Sequence, residues 1–257
     1  MFKSTCLLCV CAAFSAGAAI KTEMIQYKDH DAVLEGMIAY DDSSSAKRPG
    51  VLVVHEWWGL NDHAKNSTKK LAEMGYVAFA ADMYGKGVTT DDPQVAGKLS
   101  GALKGDRPAL RARAQAALDT LAKFKFTNPS KLGAIGYCFG GTTALEIARS
   151  GAPVRGVVSF HGALGTPNAA DAKNIKGAVL VCHGADDPFV PAAEVAAFKK
   201  EMDDAKVKYT FVAYPGAVHS FTNPDVDRHN LNGAKYQAAA AEKSWNDMKA
   251  FFADVFR

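Results

Sequence analysis

Lys131-Leu132-Gly133-Ala134-Ile135-Gly136-Tyr137-Cys138-Phe139-Gly140-Gly141-Thr142-Thr143-Ala144-Leu145 is the stretch from which the rest of the chain can be ordered. It opens as an apolar strand, turns sharply around Cys138, and continues with the spacing of an amphipathic helix. Glycines two positions before and two after Cys138 meet the demand of a strained strand-to-helix turn, where any side chain would strike the neighbouring backbone. The pattern is the G-x-S-x-G nucleophile elbow with cysteine in place of serine. The N-terminus of the helix that follows favours a thiolate and offers backbone N–H groups to an oxyanion. A lone G-x-C-x-G also suits a buried structural thiol, but the strand–turn–helix setting favours a nucleophile.

Outward from the elbow, apolar runs alternate with helix-spaced ones. Before it, the pattern predicts an antiparallel hairpin of Met24–Lys28 and Ala32–Tyr40 around Asp29-His30-Asp31, then strand Val51–His55, helix Ala64–Met74 and strand Tyr76–Ala80. Helices near Asp92–Leu103 and Pro108–Phe124 and strand Lys131–Gly136 lead into the turn. Beyond it come helix Thr142–Arg149, strands Val154–Phe160 and Ala178–Cys182, helix Ala192–Asp203, strand Lys208–Tyr214 and a closing helix Lys235–Phe252. The clearest helix has Asp106 as N-cap, Pro108 in its first turn, and Leu110, Ala114, Ala117, Leu118 and Leu121 on one face. Strands that are nearly continuous Val, Ala and Leu are buried on both sides, so the expected class is α/β. Its mostly parallel central sheet carries helices on both faces and an N-terminal antiparallel hairpin. In such sheets reactive groups collect beyond the C-terminal ends of the strands.

The chain has 257 residues, 48% hydrophobic and 22% charged, which supports one sizeable core and excludes disorder. Thirty Lys and Arg against 27 Asp and Glu leave a formal charge of +3, too little for a phosphate-tracking surface, so nucleic acid is excluded as a partner. Three of the five cysteines, Cys6, Cys9 and Cys11, lie in an opening stretch with Lys3, an apolar run and a small-residue end at Ala16-Gly17-Ala18. That layout predicts a signal peptide over residues 1–19, a single domain over residues 20–257, and a secreted or periplasmic protein. The apolar run is about half the roughly 20 residues a membrane crossing needs, so no stable membrane association is expected. The mature chain keeps Cys138 and Cys182, and with one strand between theirs a disulfide would have to span about 10 Å, beyond the roughly 7 Å limit.

The nucleophile's partners should follow in the order acid, then base. The Ala178–Cys182 strand ends in His183-Gly184-Ala185-Asp186-Asp187-Pro188, where Asp187 is the preferred acid and Asp186 the alternative. The next strand ends in Pro215-Gly216-Ala217-Val218-His219, which makes His219 the candidate base. His30, His63 and His229 fall in polar loops without an evident partner. His161 and His183 look like loop-satisfying residues, and His55 an orienting one. No H-E-x-x-H and no mature C-x-x-C is present, so neither metal nor cofactor is expected.

These residues together resemble the dienelactone hydrolases, or carboxymethylenebutenolidases, of the α/β-hydrolase fold. The likeness runs through Val51-Leu52-Val53-Val54-His55-Glu56-Trp57-Trp58-Gly59-Leu60-Asn61, Ala81-Asp82-Met83-Tyr84-Gly85-Lys86-Gly87, the elbow, Asp186-Asp187-Pro188-Phe189-Val190-Pro191 and His219-Ser220-Phe221. It implies Cys138, Asp187 and His219 as a triad acting through a thioester on a small ester or lactone. It also implies the backbone N–H groups of Trp57 and Phe139 as the oxyanion hole, and Glu56 as the carboxylate that partners the resting thiol and releases it when substrate binds. Two arginines that hold a substrate carboxylate in the family are replaced, by Lys86 and Asn223. Lys86, Trp58 and Asn223 are therefore the expected substrate-binding residues, and Arg228 a candidate substitute cation. A lysine is a point charge and an asparagine is neutral, so carboxylate selectivity is expected to weaken. The competing readings are a broad-range carboxylesterase and a non-catalytic binding protein on a hydrolase scaffold. The chain is expected to act as a monomer.

Overall fold

The computed structural model describes residues 20–257; the signal peptide expected over residues 1–19 lies outside them. The hairpin forms from β1 (Ile20–Asp29) and β2 (Ala32–Asp41), paired antiparallel from Ile20 opposite Asp41 to Asp29 opposite Ala32. Only His30 and Asp31 make the turn, with His30 at a φ of 50°, as a two-residue hairpin loop requires.

The chain then runs through β3 (Arg48–Val54), α1 (Asp62–Glu73), β4 (Val77–Ala81), α2 (Pro93–Gly105), α3 (Arg107–Lys123), β5 (Thr127–Tyr137) and α4 (Phe139–Arg149). It continues with β6 (Gly156–Phe160), β7 (Ala178–Gly184), α5 (Ala192–Asp204), β8 (Tyr209–Tyr214) and α6 (Ala238–Val255). The eight strands lie in the order β1-β2-β4-β3-β5-β6-β7-β8. β2 meets β4 antiparallel, and every pairing from β4 to β8 is parallel. From β3 the chain first adds β4 on one side and later β5 on the other. This reversal opens a crevice past the C-terminal ends of β3 and β5, where ligands bind in open α/β sheets.

Alternation within the strands builds two cores. Leu52 and Val54 pack with α3, α4 and α5 on one face, whereas Val51 and Val53 pack with α1 and α6 on the other. On α3, Leu110, Ala114, Ala117, Leu118 and Leu121 are all within 1% of full burial, and each leucine so buried contributes about 2 kcal/mol of hydrophobic stabilisation. The Asp106 carboxylate caps that helix by accepting from the Ala109 N–H at 3.0 Å. Arg149, wholly buried, is forked onto Glu201 at 2.7 and 2.8 Å and also bonds Glu146 at 3.0 Å and the Leu164 carbonyl at 2.8 Å. It ties α4 to α5 and to the loop beyond β6, a role invisible in the sequence. Among the described residues no helix is long and apolar enough to cross a membrane.

Departures from the expected boundaries have local causes. β5 begins at Thr127 because Asn128 accepts from the Ser130 N–H (3.1 Å) and hydroxyl (2.8 Å), making a turn inside the strand, opposite the register break at Pro49/Gly50. The closing helix starts at Ala238 rather than Lys235, because the Lys235 and Gln237 N–H groups bond the carbonyls of His219 and Phe221 instead. Short 3-10 turns at Ala169–Asn174 and Val226–His229 were not anticipated.

Candidate active site

The elbow at the end of β5 forces Cys138 to a φ of 53° and ψ of −113°, a conformation that an L-residue adopts only under constraint. The flanking glycines are obligatory. A Cβ on Gly136 would lie 1.9 Å from the Gly140 carbonyl oxygen, and one on Gly140 would lie 2.2 Å from the Val54 carbonyl oxygen. The Cys138 N–H is shared between the Phe160 carbonyl (3.0 Å) and His161 Nδ1 (3.1 Å). The thiol itself is half-buried. The N–H groups of Trp57, after β3, and of Phe139, the first residue of α4, have no protein acceptor among the described residues.

His219 stands on the loop after β8 and donates from Nδ1 to Asp187 Oδ2 at 2.8 Å. The Asp187 side chain has no exposed surface, and its other oxygen accepts from the Phe189 N–H at 2.8 Å. Asp186 is exposed and meets the Ala217 carbonyl only through its backbone. Of the two aspartates it is therefore Asp187 that faces the histidine. Burial opposes charge on His219, but the charge and hydrogen bonding of Cys138 together with Asp187 outweigh it and raise its pKa to about 10. Nucleophile candidate, base candidate and carboxylate are thus brought together from the ends of β5, β7 and β8.

Two further histidines support this cluster. His161, at a φ of 40°, uses Nδ1 to accept from Cys138 and leaves Nε2–H for the Thr222 hydroxyl at 2.7 Å. Burial, reinforced by the positive charge of neighbouring His219, keeps it neutral, well below the usual histidine range. His63 belongs to α1 rather than a polar loop; it packs on Tyr137 and sits 3.6 Å from Glu56.

Glu56 does not partner the thiol. Its buried carboxylate accepts from the Ser220 hydroxyl at 3.0 Å and from Asn223 Nδ2 at 2.5 Å. Burial alone would raise its pKa, but the His63 imidazole 3.6 Å away and the hydrogen bond from Ser220 hold it down at about 2. The loop that carries His219 thus takes up the acceptors that were expected to face Cys138.

The expected substrate-binding residues are also engaged elsewhere. Asn223 is buried, and its Oδ1 accepts from the Asp225 N–H at 2.9 Å while its amide serves Glu56. Lys86 lies against the hairpin, 3.0 Å from Glu35, because its loop turns back to bond the Val33 carbonyl. Trp58 is only 2% exposed and stacks on His229 at 4.0 Å, so it packs rather than lines the site. Arg228 pairs with Asp91 on the surface at 2.8 Å. Phe189, which sequence reasoning passed over, stands 54% exposed and edge-on to His219 at 5.2 Å. A cavity of about 660 Å³ behind the His219 loop is lined by His63, Tyr137, Thr222 and Trp245 but not by the thiol.

The dienelactone hydrolase family model matches residues 34–256. A solved structure of a dienelactone hydrolase-like promiscuous phosphotriesterase from metagenomic libraries superposes with a TM-score of 0.90 at 42% identity, covering 94% of this chain and 100% of that one. Protein usf of Aquifex pyrophilus is 32% identical over 90% of this chain and 97% of its own length. An Aquifex aeolicus protein named for carboxymethylenebutenolidase activity is 31% identical over 89% of this chain and 98% of its own.

Proposed function

The chain belongs to the dienelactone hydrolase family of α/β-hydrolase enzymes, and from that premise we propose that it cleaves esters and lactones with Cys138 as nucleophile, His219 as base and Asp187 as the carboxylate that orients it. The observation that carries this reading is the 2.8 Å bond from His219 Nδ1 to the fully buried Asp187, with the same imidazole coupled to a thiol held on a strained elbow.

Asp187 fixes the tautomer and stabilises the imidazolium, leaving Nε2 to face the thiol. The Cys138 proton passes to His219, and Sγ attacks the acyl carbon. The oxyanion formed is met by the N–H groups of Trp57 and Phe139, whose lack of other acceptors supports that role. Collapse breaks the C–O bond, the leaving oxygen takes the proton from His219, and a thioester remains. Water, deprotonated by His219, then attacks the thioester; the acid is released and the thiol regains its proton. A thiolate suits leaving groups that are stabilised alkoxides or enolates, so amides are poor substrates.

Neutral acyl groups are the preferred class, because Lys86 is paired with Glu35 and Asn223 with Glu56, which leaves neither to grip a carboxylate. The phosphotriesterase named above suggests a second reading, in which the same oxyanion donors hold a phosphoryl oxygen. Steady-state rates of the wild type and Cys138→Ala on neutral lactones, short aryl esters, a carboxylated dienelactone and a phosphotriester test both. Loss of all hydrolysis in Cys138→Ala, with a thioester trapped on Cys138 by mass spectrometry, is expected. Survival of activity in the variant overturns the nucleophile, and a rate dominated by the carboxylated lactone overturns the substrate class. The exported setting rests on the composition of residues 1–19. Intact Met1 on the protein in a cytosolic fraction overturns it.

A further inference from the structure

His55 is a buried titratable group for which the triad has no use. It follows β3 directly, its side chain has no exposed surface, and its ring lies between Tyr84 at 4.9 Å and Phe139 at 6.0 Å. Its own carbonyl oxygen stands against the elbow, 2.6 Å from where a Cβ on Gly140 would sit. The residue therefore occupies the junction of the β3 loop, the β4 loop and the nucleophile turn.

Each ring nitrogen meets a backbone group of fixed polarity. Nδ1 faces the carbonyl oxygen of Glu56, which can only accept. Nε2 faces the N–H of Met83 at 3.2 Å, which can only donate. A neutral imidazole with its proton on Nδ1 is the one species that satisfies both. Burial favours that neutral form, lowering the pKa below the usual histidine value against the opposing effect of the Glu56 hydrogen bond.

The Glu56 carbonyl and the Trp57 N–H belong to one planar trans amide and point in opposite directions. Whatever fixes the carbonyl also aims the N–H. No strand or helix does so here, because β3 ends at Val54 and α1 begins only at Asp62, and besides His55 the carbonyl accepts only the Gly59 N–H at a long 3.4 Å. The following peptide has its own clamp, the Tyr84 hydroxyl donating to the Trp57 carbonyl at 3.0 Å.

We propose that His55 is a positioning residue for acyl transfer: by holding the Glu56 carbonyl it aims the Trp57 N–H at the oxyanion that forms over Cys138, without touching the substrate. The inference rests on the thiol-hydrolase reading above and adds to it the device that preorganises one oxyanion donor.

The test compares wild type, His55→Phe, His55→Gln and Cys138→Ala on one activated ester, with folding checked by circular dichroism. His55→Phe keeps an aromatic ring between Tyr84 and Phe139 but removes both nitrogens. It should lower kcat about 100-fold, the order of effect of losing one oxyanion donor, with KM changed less than about threefold because ground-state binding is untouched. A trifluoromethyl ketone analogue, which forms an oxyanion on the thiol, should weaken in step with kcat/KM. Alkylation of Cys138 by iodoacetamide forms no oxyanion and should proceed at the wild-type rate, whereas general damage to the site would slow both. His55→Gln, with one donor and one acceptor on its amide, should recover most of kcat. An unchanged kcat in His55→Phe, or an alkylation rate that falls with kcat, overturns the inference. Hydrolysis persisting in Cys138→Ala overturns the thiol reading and this inference with it; hydrolysis lost there but intact in His55→Phe overturns this inference alone. Should His55→Phe not fold, ¹⁵N NMR of the wild-type imidazole decides. The Nδ1–H tautomer, unchanged from pH 5 to 8, is required, and an Nε2–H tautomer or a titration in that range overturns the proposal.

Discussion

Asn223 donates from Nδ2 to Glu56 Oε2 at 2.5 Å across 167 positions of sequence, and this one bond ties the loop after β3 to the loop that carries His219. With Ser220 on its other oxygen, the Glu56 carboxylate is a fastening between two halves of the site. Its folded pKa of about 2 lies below the ordinary carboxylate value. The stability it contributes is therefore fully present above about pH 4.5 and is lost as pH falls toward 2, about 3 kcal/mol in all. Urea unfolding midpoints measured from pH 7 to 3 should fall less steeply in Glu56→Gln than in wild type; parallel curves would contradict the assignment.

For His219 the sign is opposite. Its pKa is raised to about 10 by Cys138 and Asp187 against the opposing effect of burial, so the imidazolium persists through neutral pH and is lost as pH rises through that value. The kcat/KM profile should hold its plateau into alkaline solution and fall with an apparent pKa near 10. Asp187→Asn removes one of the interactions that raise it. The alkaline limb should then move to lower pH, and kcat should drop by about 10³ to 10⁴ because the tautomer is no longer held.

Arg149 predicts a stability defect without a chemical one. Its guanidinium is fully buried and forked onto Glu201, with Glu146 as a second carboxylate. Arg149→Met leaves Glu201 buried without its cation, while Glu146 keeps Arg111 at 2.8 Å, and should destabilise by about 3–5 kcal/mol. Denaturant titration measures the loss, while the kcat of the folded fraction should stay near wild type.

Gly140→Ala tests the elbow itself. The new Cβ would stand 2.2 Å from the Val54 carbonyl oxygen and 2.6 Å from that of His55, backbone atoms that cannot step aside singly. Destabilisation of about 3 kcal/mol or more is expected, read as loss of soluble protein or a lowered Tm. Gly101→Ala, on the open side of α2 with nothing near its Cβ position, is the control and should be neutral or mildly stabilising.

The elements most legible in the sequence were those specified by neighbours in the chain. The α3 face of Leu110, Ala114, Ala117, Leu118 and Leu121 follows from helical period, and its core face is buried as that spacing requires. β5 was harder, because its first residues are turn formers whose strand pairing comes from β3, far away in sequence. The start of α6 departs from its helical period for a similar reason: Lys235 and Gln237 bond the loop that carries His219, an option no helical propensity records.

By itself the sequence determined the alternation of strands and helices, the strained turn at Cys138, and the chain order in which Asp187 and His219 arrive. All three rest on short-range sterics and periodicity. Tertiary structure alone decided that Asp187 rather than Asp186 meets His219, that Glu56 faces Ser220 and Asn223 instead of Cys138, and that Lys86, Trp58 and Asn223 are engaged away from the substrate side. A side chain's direction at a strand end depends on which loop lies opposite, and Glu56, at the end of β3, meets the loop after β8, from a strand that neighbours β3 neither in the chain nor in the sheet.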